Sequence, residues 1–146
     1  MVNILVCDDD KEIAGALEIY LRNEGYNVFK AYDGMEALNI VKQNQIHLIL
    51  MDVMMPNLDG IQATMKIREE NNIPIIMLSA KSEDYDKIIG LNVGADDYIT
   101  KPFNPLELIA RVKSHLRRFT RLGSMDAESK EGIYTSGGLE VDDNEK

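Results

Sequence analysis

The chain has a single cysteine, Cys7, among 146 residues, so no disulfide framework can form within it and a reducing cytoplasm is the expected home. It also lacks a long apolar run. Stretches such as Leu48-Ile49-Leu50-Met51 fall far below the ~18 residues needed to span a bilayer. Met1-Val2-Asn3 leads into a short apolar stretch and three aspartates, unlike the charged start and cleavable apolar core of a secretory signal. A soluble protein with no membrane partner is expected. Basic charge is scarce too: the net charge is −9, and residues 123–146, with seven acidic and two basic side chains, hold −5 of it. Neither portion offers the positive field that grips a phosphate backbone, so this chain alone should not bind DNA strongly. No G-x-x-x-x-G-K-[ST] loop is present, and no G-x-G-x-x-G follows the first apolar run, which excludes the common nucleotide-cradling loops.

What is present is an alternation of short apolar runs and amphipathic stretches. Ile4 to Cys7 stops at Asp8-Asp9-Asp10; Ile13, Leu17, Tyr20 and Leu21 then recur at helical spacing, with Gly25 as the stop. Val28-Phe29 reads as a second strand ending at Asp33-Gly34, and Ala37, Leu38 and Val41 mark a second helix. Ile46 to Met51 is apolar enough for a strand buried on both faces. Pro56, Asn57, Asp59 and Gly60 form a loop before a helix carrying Ile61, Met65 and Ile67. Ile75 to Leu78 gives a fourth strand, a helix follows from about Glu83 to Gly94, Tyr98-Ile99 gives a fifth strand, and a last helix runs from Pro105 to about Arg118. The expectation is an α/β fold: a doubly wound, five-stranded parallel sheet in the flavodoxin-like order 2-1-3-4-5, with five flanking helices. That order puts the ligand crevice at the carboxyl ends of strands 1 and 3, where Asp8, Asp9 and Asp52 stand.

Carboxylates converging at strand ends repel one another unless a cation is present, and a hard divalent ion with oxygen ligands removes that cost. A carboxylate can also be the nucleophile that forms an aspartyl phosphate. Phosphoryl transfer further needs a cation and a hydroxyl or amide donor for the oxygens. Lys101, after the fifth strand, and Ser79, at the end of the fourth, supply those types. The Lys101-Pro102 bond lies at a turn, where a cis form is expected and would aim the lysine inward. Asp10 immediately precedes the first helix and reads as its N-cap. Cys7 reads as a small buried hydrophobe, and His47 and His115 have no partner spacing for a metal or a triad.

Asp8-Asp9, Met51-Asp52-Val53-Met54-Met55-Pro56 with Asp59-Gly60, Leu78-Ser79-Ala80, and Asp96-Asp97-Tyr98-Ile99-Thr100-Lys101-Pro102-Phe103 together resemble the signature of two-component response regulator receiver domains. The resemblance covers residues 1 to about 120. It implies Asp52 as the acceptor of phosphate from a sensor histidine kinase. It implies Mg²⁺ (with Mn²⁺ as an alternative) at Asp8, Asp9, Asp52 and the backbone carbonyl of Met54, Asp9 being a more direct ligand than Asp8. Ser79 would be the hydroxyl switch, Lys101 the phosphate-contacting lysine, and Tyr98 the aromatic that turns inward on activation. The implied role is a switch, not a turnover enzyme.

Lys87, Asp96, Asp97, Glu107, Arg111 and Arg118 resemble the charge pattern of OmpR/PhoB-type receivers. There the fourth helix, fifth strand and fifth helix form a symmetric dimer, implying Lys87–Glu107, Asp97–Arg111 and Asp96–Arg118 pairs across a two-fold axis. The alternative is a solvated charged face, since exposed ion pairs contribute about 0–1 kcal/mol each. The tail fits the same subfamily, because Gly137 to Asp142 resembles the opening strand of a winged-helix effector domain. The implied organisation is a receiver domain over 1–121, a linker over 122–136, and over 137–146 the start of a DNA-binding domain that is otherwise absent. DNA would be engaged only through that missing part. Met54 and Lys81, two residues beyond Asp52 and Ser79, should hinder an attacking water and make self-hydrolysis slow.

Two other classes stand beside this reading. One is a Mg²⁺-dependent phosphohydrolase with Asp52 as nucleophile; aspartate phosphatases of the haloacid dehalogenase type carry an acidic residue two positions on, where this chain has Met54. The other is a degenerate receiver that serves only as a protein-interaction module.

Overall fold

The computed structural model describes residues 1–80 and 94–131, with side chains as far as residue 118. Five strands, β1 (Asn3–Cys7), β2 (Asn27–Ala31), β3 (Leu48–Asp52), β4 (Ile75–Ala80) and β5 (Asp97–Lys101), alternate with helices α1 (Lys11–Asn23), α2 (Gly34–Gln43), α3 (Gly60–Arg68) and α4 (Pro105–Glu131). All neighbouring strands are parallel and the order is β2-β1-β3-β4-β5, the doubly wound arrangement expected. The helix expected between about Glu83 and Gly94 falls on residues 81–93, outside the described residues. Met1–Val112 form a compact unit that holds the whole sheet and the site.

The pattern of burial explains the layering. Ile4, Leu5, Val6 and Cys7 of β1 and all five residues of β3 are buried, as central parallel strands covered on both faces must be. Helices α1 and α3 each bury one stripe of residues. In α1 it is Ala14, Leu17 and Leu21. In α3 it is Gly60, Ala63, Thr64 and Ile67, whereas Met65, an apolar residue on which the helix was recognised, is exposed. The helix starts are capped by aspartates: Asp10 accepts from the backbone N–H of Glu12 and Ile13, Asp33 from Glu36, and Asp59 from Gln62. Gly25 ends α1 at φ 90°, in the left-handed region that the expected stop requires.

The last helix departs from expectation. It continues beyond Arg118 to Glu131, so the segment read as a linker from residue 122 is helical over its first ten residues, 122–131. Met125, Ala127, Glu128 and Lys130 are strong helix formers, and the lone Gly123 costs only about 1 kcal/mol. Residues 132–146, with the expected opening strand of an effector domain, lie outside the described residues. No described helix is long and apolar enough to cross a membrane.

Candidate functional site

β1 and β3 are neighbours, with Cys7 opposite Met51. Both strands therefore deliver their next residues to one edge of the sheet: Asp8 just past β1, and Asp52 as the last residue of β3. Asp8 is fully buried, Asp52 is 5% exposed and Asp9 lies open to solvent. Carboxylate oxygens of all three lie within 4.8 Å of one another. The next residue, Asp10, is spent on the α1 cap as expected, and its N–H donates to Asp8 Oδ1 at 3.0 Å.

Lys101, at the end of β5, reaches across β4 to the same place. Its Nζ donates to Asp8 Oδ2 at 2.9 Å and to Asp52 Oδ1 at 3.0 Å. The Lys101-Pro102 peptide is cis, as expected from its position at a turn. Among the described residues nothing donates to the second oxygen of Asp52.

This arrangement fixes the electrostatics. Burial pushes the Asp52 carboxyl up to about 6, the charge of Asp8 adds to the rise, and the hydrogen bond from Lys101 opposes it. Burial pulls the Lys101 ammonium down, but its hydrogen bonds to Asp8 and Asp52 outweigh burial and hold it above its ordinary value. Cys7, fully buried beside the two aspartates, is held well above the usual thiol range, chiefly by desolvation. It is a neutral small hydrophobe, as expected.

Among the described residues three carboxylates face one ammonium, which leaves negative charge on hard oxygen donors. That donor set fits a hard divalent cation. Met54, whose backbone carbonyl was expected as a further oxygen ligand, lies in the loop after β3. Val53 carbonyl accepts from Gly60 N–H at 2.9 Å and Pro56 carbonyl from Leu58 N–H at 2.7 Å. Among the described residues nothing donates to the Met54 carbonyl between them, and the Met54 side chain is exposed.

Ser79 and Tyr98 stand differently. Ser79 is buried inside β4, one residue beyond the partner of Asp52, and its hydroxyl donates to the carbonyl of Ala80 at 3.3 Å rather than to Asp52. Tyr98, expected to turn inward on activation, is already packed in the core. His47 accepts the Asn3 N–H on Nδ1 at 2.9 Å, consistent with its not having been expected as a ligand.

The residues expected at a dimer face are tied within one chain. Arg111 pairs with Asp97 at 2.7 Å and with Glu107 at 2.9 Å. Asp96 pairs with Arg68 at 2.7 Å, and Arg118 Nη2 lies 3.3 Å from His115 Nδ1. Lys87 lies outside the described residues. Sequence reasoning gave no role to Arg68, and read Gly34 and Gly60 as turn, loop and signature residues without the close approaches that shape the site. A Cβ on Gly60 would run into the Asp52 carbonyl, and one on Gly34 into that of Leu58. No local pattern marks such approaches except the Asp-Gly pair that each glycine completes.

The chain matches the family model described as "Response regulator receiver domain" over residues 4–113. It is 48% identical over 134 residues to regulatory protein VanR of Enterococcus faecium, covering 92% of this chain and 58% of that protein. It is 49% identical over 115 residues to response regulator GtcR of Aneurinibacillus migulanus, covering 79% of this chain and 48% of that one. The chain thus spans roughly half the length of these relatives. Among solved structures, the receiver domain of the Francisella response regulator 1452 superposes with a TM-score of 0.76 at 43% identity, covering 81% of this chain and 98% of that one. Sheet order, acidic strand ends and family match agree: the chain belongs to the response regulator receiver domains, the phosphorylation-based signalling switches of two-component systems.

Proposed function

We propose that Asp52 takes a phosphoryl group from a sensor histidine kinase in the cytoplasm, and that the modified chain dimerises to control transcription. The observation that carries the reading is the pairing of Asp52 with Lys101 beside buried Asp8, which leaves one Asp52 oxygen without a donor among the described residues. In the transfer that oxygen bonds to phosphorus while the bond from phosphorus to the kinase imidazole nitrogen breaks, its electron pair leaving on the nitrogen. Asp9, Asp52 and the Met54 carbonyl, with Asp8 behind them, would hold Mg²⁺ (or Mn²⁺), which when bound offsets the charge on the phosphoryl oxygens.

Lys101 already spans Asp8 and Asp52, so it can exchange its hydrogen bond to Asp52 for one to a phosphoryl oxygen without crossing the site. Ser79 must turn its hydroxyl away from Ala80 to reach another. The added charge of about −1.5 to −2 and its acceptors supply the drive for that turn. Tyr98, two residues before Thr100, whose partner in the sheet is Ser79, lies on the strand that would register the change. Dimerisation would use the expected fourth helix with β5 and α4, through Lys87, Asp96, Asp97, Glu107, Arg111 and Arg118. DNA would be engaged by an effector domain of the whole protein, a reading supported by the regulatory names of relatives about twice the length matched.

The test is treatment with a small-molecule phosphodonor and Mg²⁺, followed by intact mass and sizing. One phosphoryl group and a shift to dimer are expected for the wild type, and neither for Asp52→Asn. Continuous turnover of a phosphomonoester would instead support a hydrolase.

A further inference from the structure

The loop between β3 and α3 is held from outside as well as from its own ends. Asn57 Nδ2 donates to Asp33 Oδ2 at 2.7 Å, while the other oxygen of Asp33 accepts the Glu36 N–H at 2.8 Å and caps α2. One residue further on each side, Gly34 N–H donates to the Leu58 carbonyl at 3.0 Å. Asn57 sits at φ 66°, the only non-glycine residue with positive φ among those described. Asn tolerates that region better than most side chains do. The hydrogen bonds from Glu36 and then Asn57 hold the Asp33 carboxyl below its ordinary range, so it is an ionised acceptor and the bond from Asn57 is charge-assisted. Behind Asn57 the loop closes on Gly60, whose N–H returns to Val53 and whose missing Cβ lets it lie on the Asp52 carbonyl.

The short loop from Val53 to Asp59 is therefore fixed at three places, and Met54 stands inside it. We infer that Asp33 and Asn57 are positioning residues for the metal site: their hydrogen bond sets where the Met54 carbonyl stands relative to Asp9 and Asp52. The inference rests on the Mg²⁺ reading given above. It also couples α2, whose N-cap is Asp33, to occupancy of the site.

The probe is Mg²⁺ itself, titrated calorimetrically into the unphosphorylated full chain. Asn57→Gly leaves the charge unchanged and keeps the positive φ comfortable while deleting the donor. It should weaken Mg²⁺ binding by about 10-fold, the usual scale for groups that orient a metal ligand. The exchange pair Asp33→Asn with Asn57→Asp restores a donor and an acceptor in reversed sense at the same net charge, and should recover affinity to within about 2-fold of wild type. Unchanged affinity in Asn57→Gly, even with a lower melting temperature, would reduce the pair to a structural contact and overturn the inference. A loss that the exchange pair does not recover would overturn it as well. Failure of the wild type to bind Mg²⁺ at millimolar concentration would instead remove the underlying metal reading.

Discussion

Arg68 and Asp96 are joined by a 2.7 Å ion pair that ties the end of α3 to the residue before β5. The pair does more than match charges. Arg68 also donates to the carbonyls of Gly94 at 2.9 Å and Asn71 at 3.3 Å, and the same Asp96 oxygen accepts the Ile75 N–H at 2.8 Å. Asp96 was expected to meet Arg118 of a second chain. In the single chain it already has two donors.

Arg68→Ala should therefore cost about 1–2 kcal/mol, more than an exposed ion pair contributes, because three acceptors lose a planar donor. Arg68→Lys should recover little, since a single ammonium cannot serve three carbonyl and carboxylate oxygens in one plane. Urea denaturation of the three proteins decides it. Equal midpoints for wild type and Arg68→Ala would mean that the pair is idle.

Asp52 gives a pH dependence whose sign follows from burial. Its carboxyl titrates near 6 in the folded chain and near 3.8 when unperturbed, so between those values the folded state holds the extra proton. Stability from this group thus rises as pH falls from 7 toward 4, and ionisation above 6 works against folding. Asp52→Asn should be more stable than wild type by about 2–3 kcal/mol at pH 7.5 without divalent cations, the gap closing below about pH 4. Adding Mg²⁺ should stabilise the wild type and narrow the difference. Chemical denaturation across pH, with and without Mg²⁺, measures both; a gap independent of pH contradicts the assignment.

Two glycines should respond oppositely to alanine. A Cβ on Gly60 meets the Asp52 carbonyl, whereas one on Gly15, within α1, meets nothing within 4 Å. Gly60→Ala should destabilise by about 1–3 kcal/mol through overpacking and slow phosphorylation by displacing Asp52. Gly15→Ala should stabilise by about 0.5–1 kcal/mol through helix propensity alone and leave phosphorylation unchanged. Thermal melts with a phosphodonor rate assay separate the two.

For the proposed dimer, Arg111→Glu should abolish phosphorylation-dependent association. It removes the pairing with Asp97 and places a like charge beside Asp97 and Glu107. Sizing of the phosphorylated variant reads the outcome, and an unaltered dimer would leave these charges as a solvated face.

We expect the Met54 side chain, exposed two residues beyond Asp52, to hinder an attacking water, so the phosphoryl group should persist with a half-life on the order of hours, a range that a few kcal/mol of barrier sets. Loss of phosphate from the isolated protein within seconds, followed by intact mass, would refute this.

The sheet and most of the site were legible because each site residue adjoins its own apolar run. Asp8 follows Ile4 to Cys7, Asp52 follows Leu48 to Met51, and Lys101 follows Tyr98-Ile99, so strand recognition alone placed all three at one edge. What stayed hidden depends on contacts between distant residues with ordinary local roles. Asp33 and Asn57 each read as turn formers, and nothing in their 24-residue separation says that they touch. Arg68 carries no local signal beyond being a basic residue in the last turn of α3. The length of α4 was underestimated because Gly123 and the small polar residues after it suggest a break, whereas helix propensity summed over the segment outweighs one glycine.

The opposite edge of the sheet is tied by a different set of polar groups. Asn3 donates from its side chain to the Gln45 carbonyl at 2.7 Å, its backbone N–H goes to His47, and Asn27 bonds to its side-chain oxygen at 3.1 Å. Among the described residues none of the proposed chemistry stands there. Parallel strands thus place the proposed chemistry on one rim, a strand's length from the other. A fluorophore, an affinity handle or a surface linkage attached near Gln43-Asn44 would report on the switch without touching it.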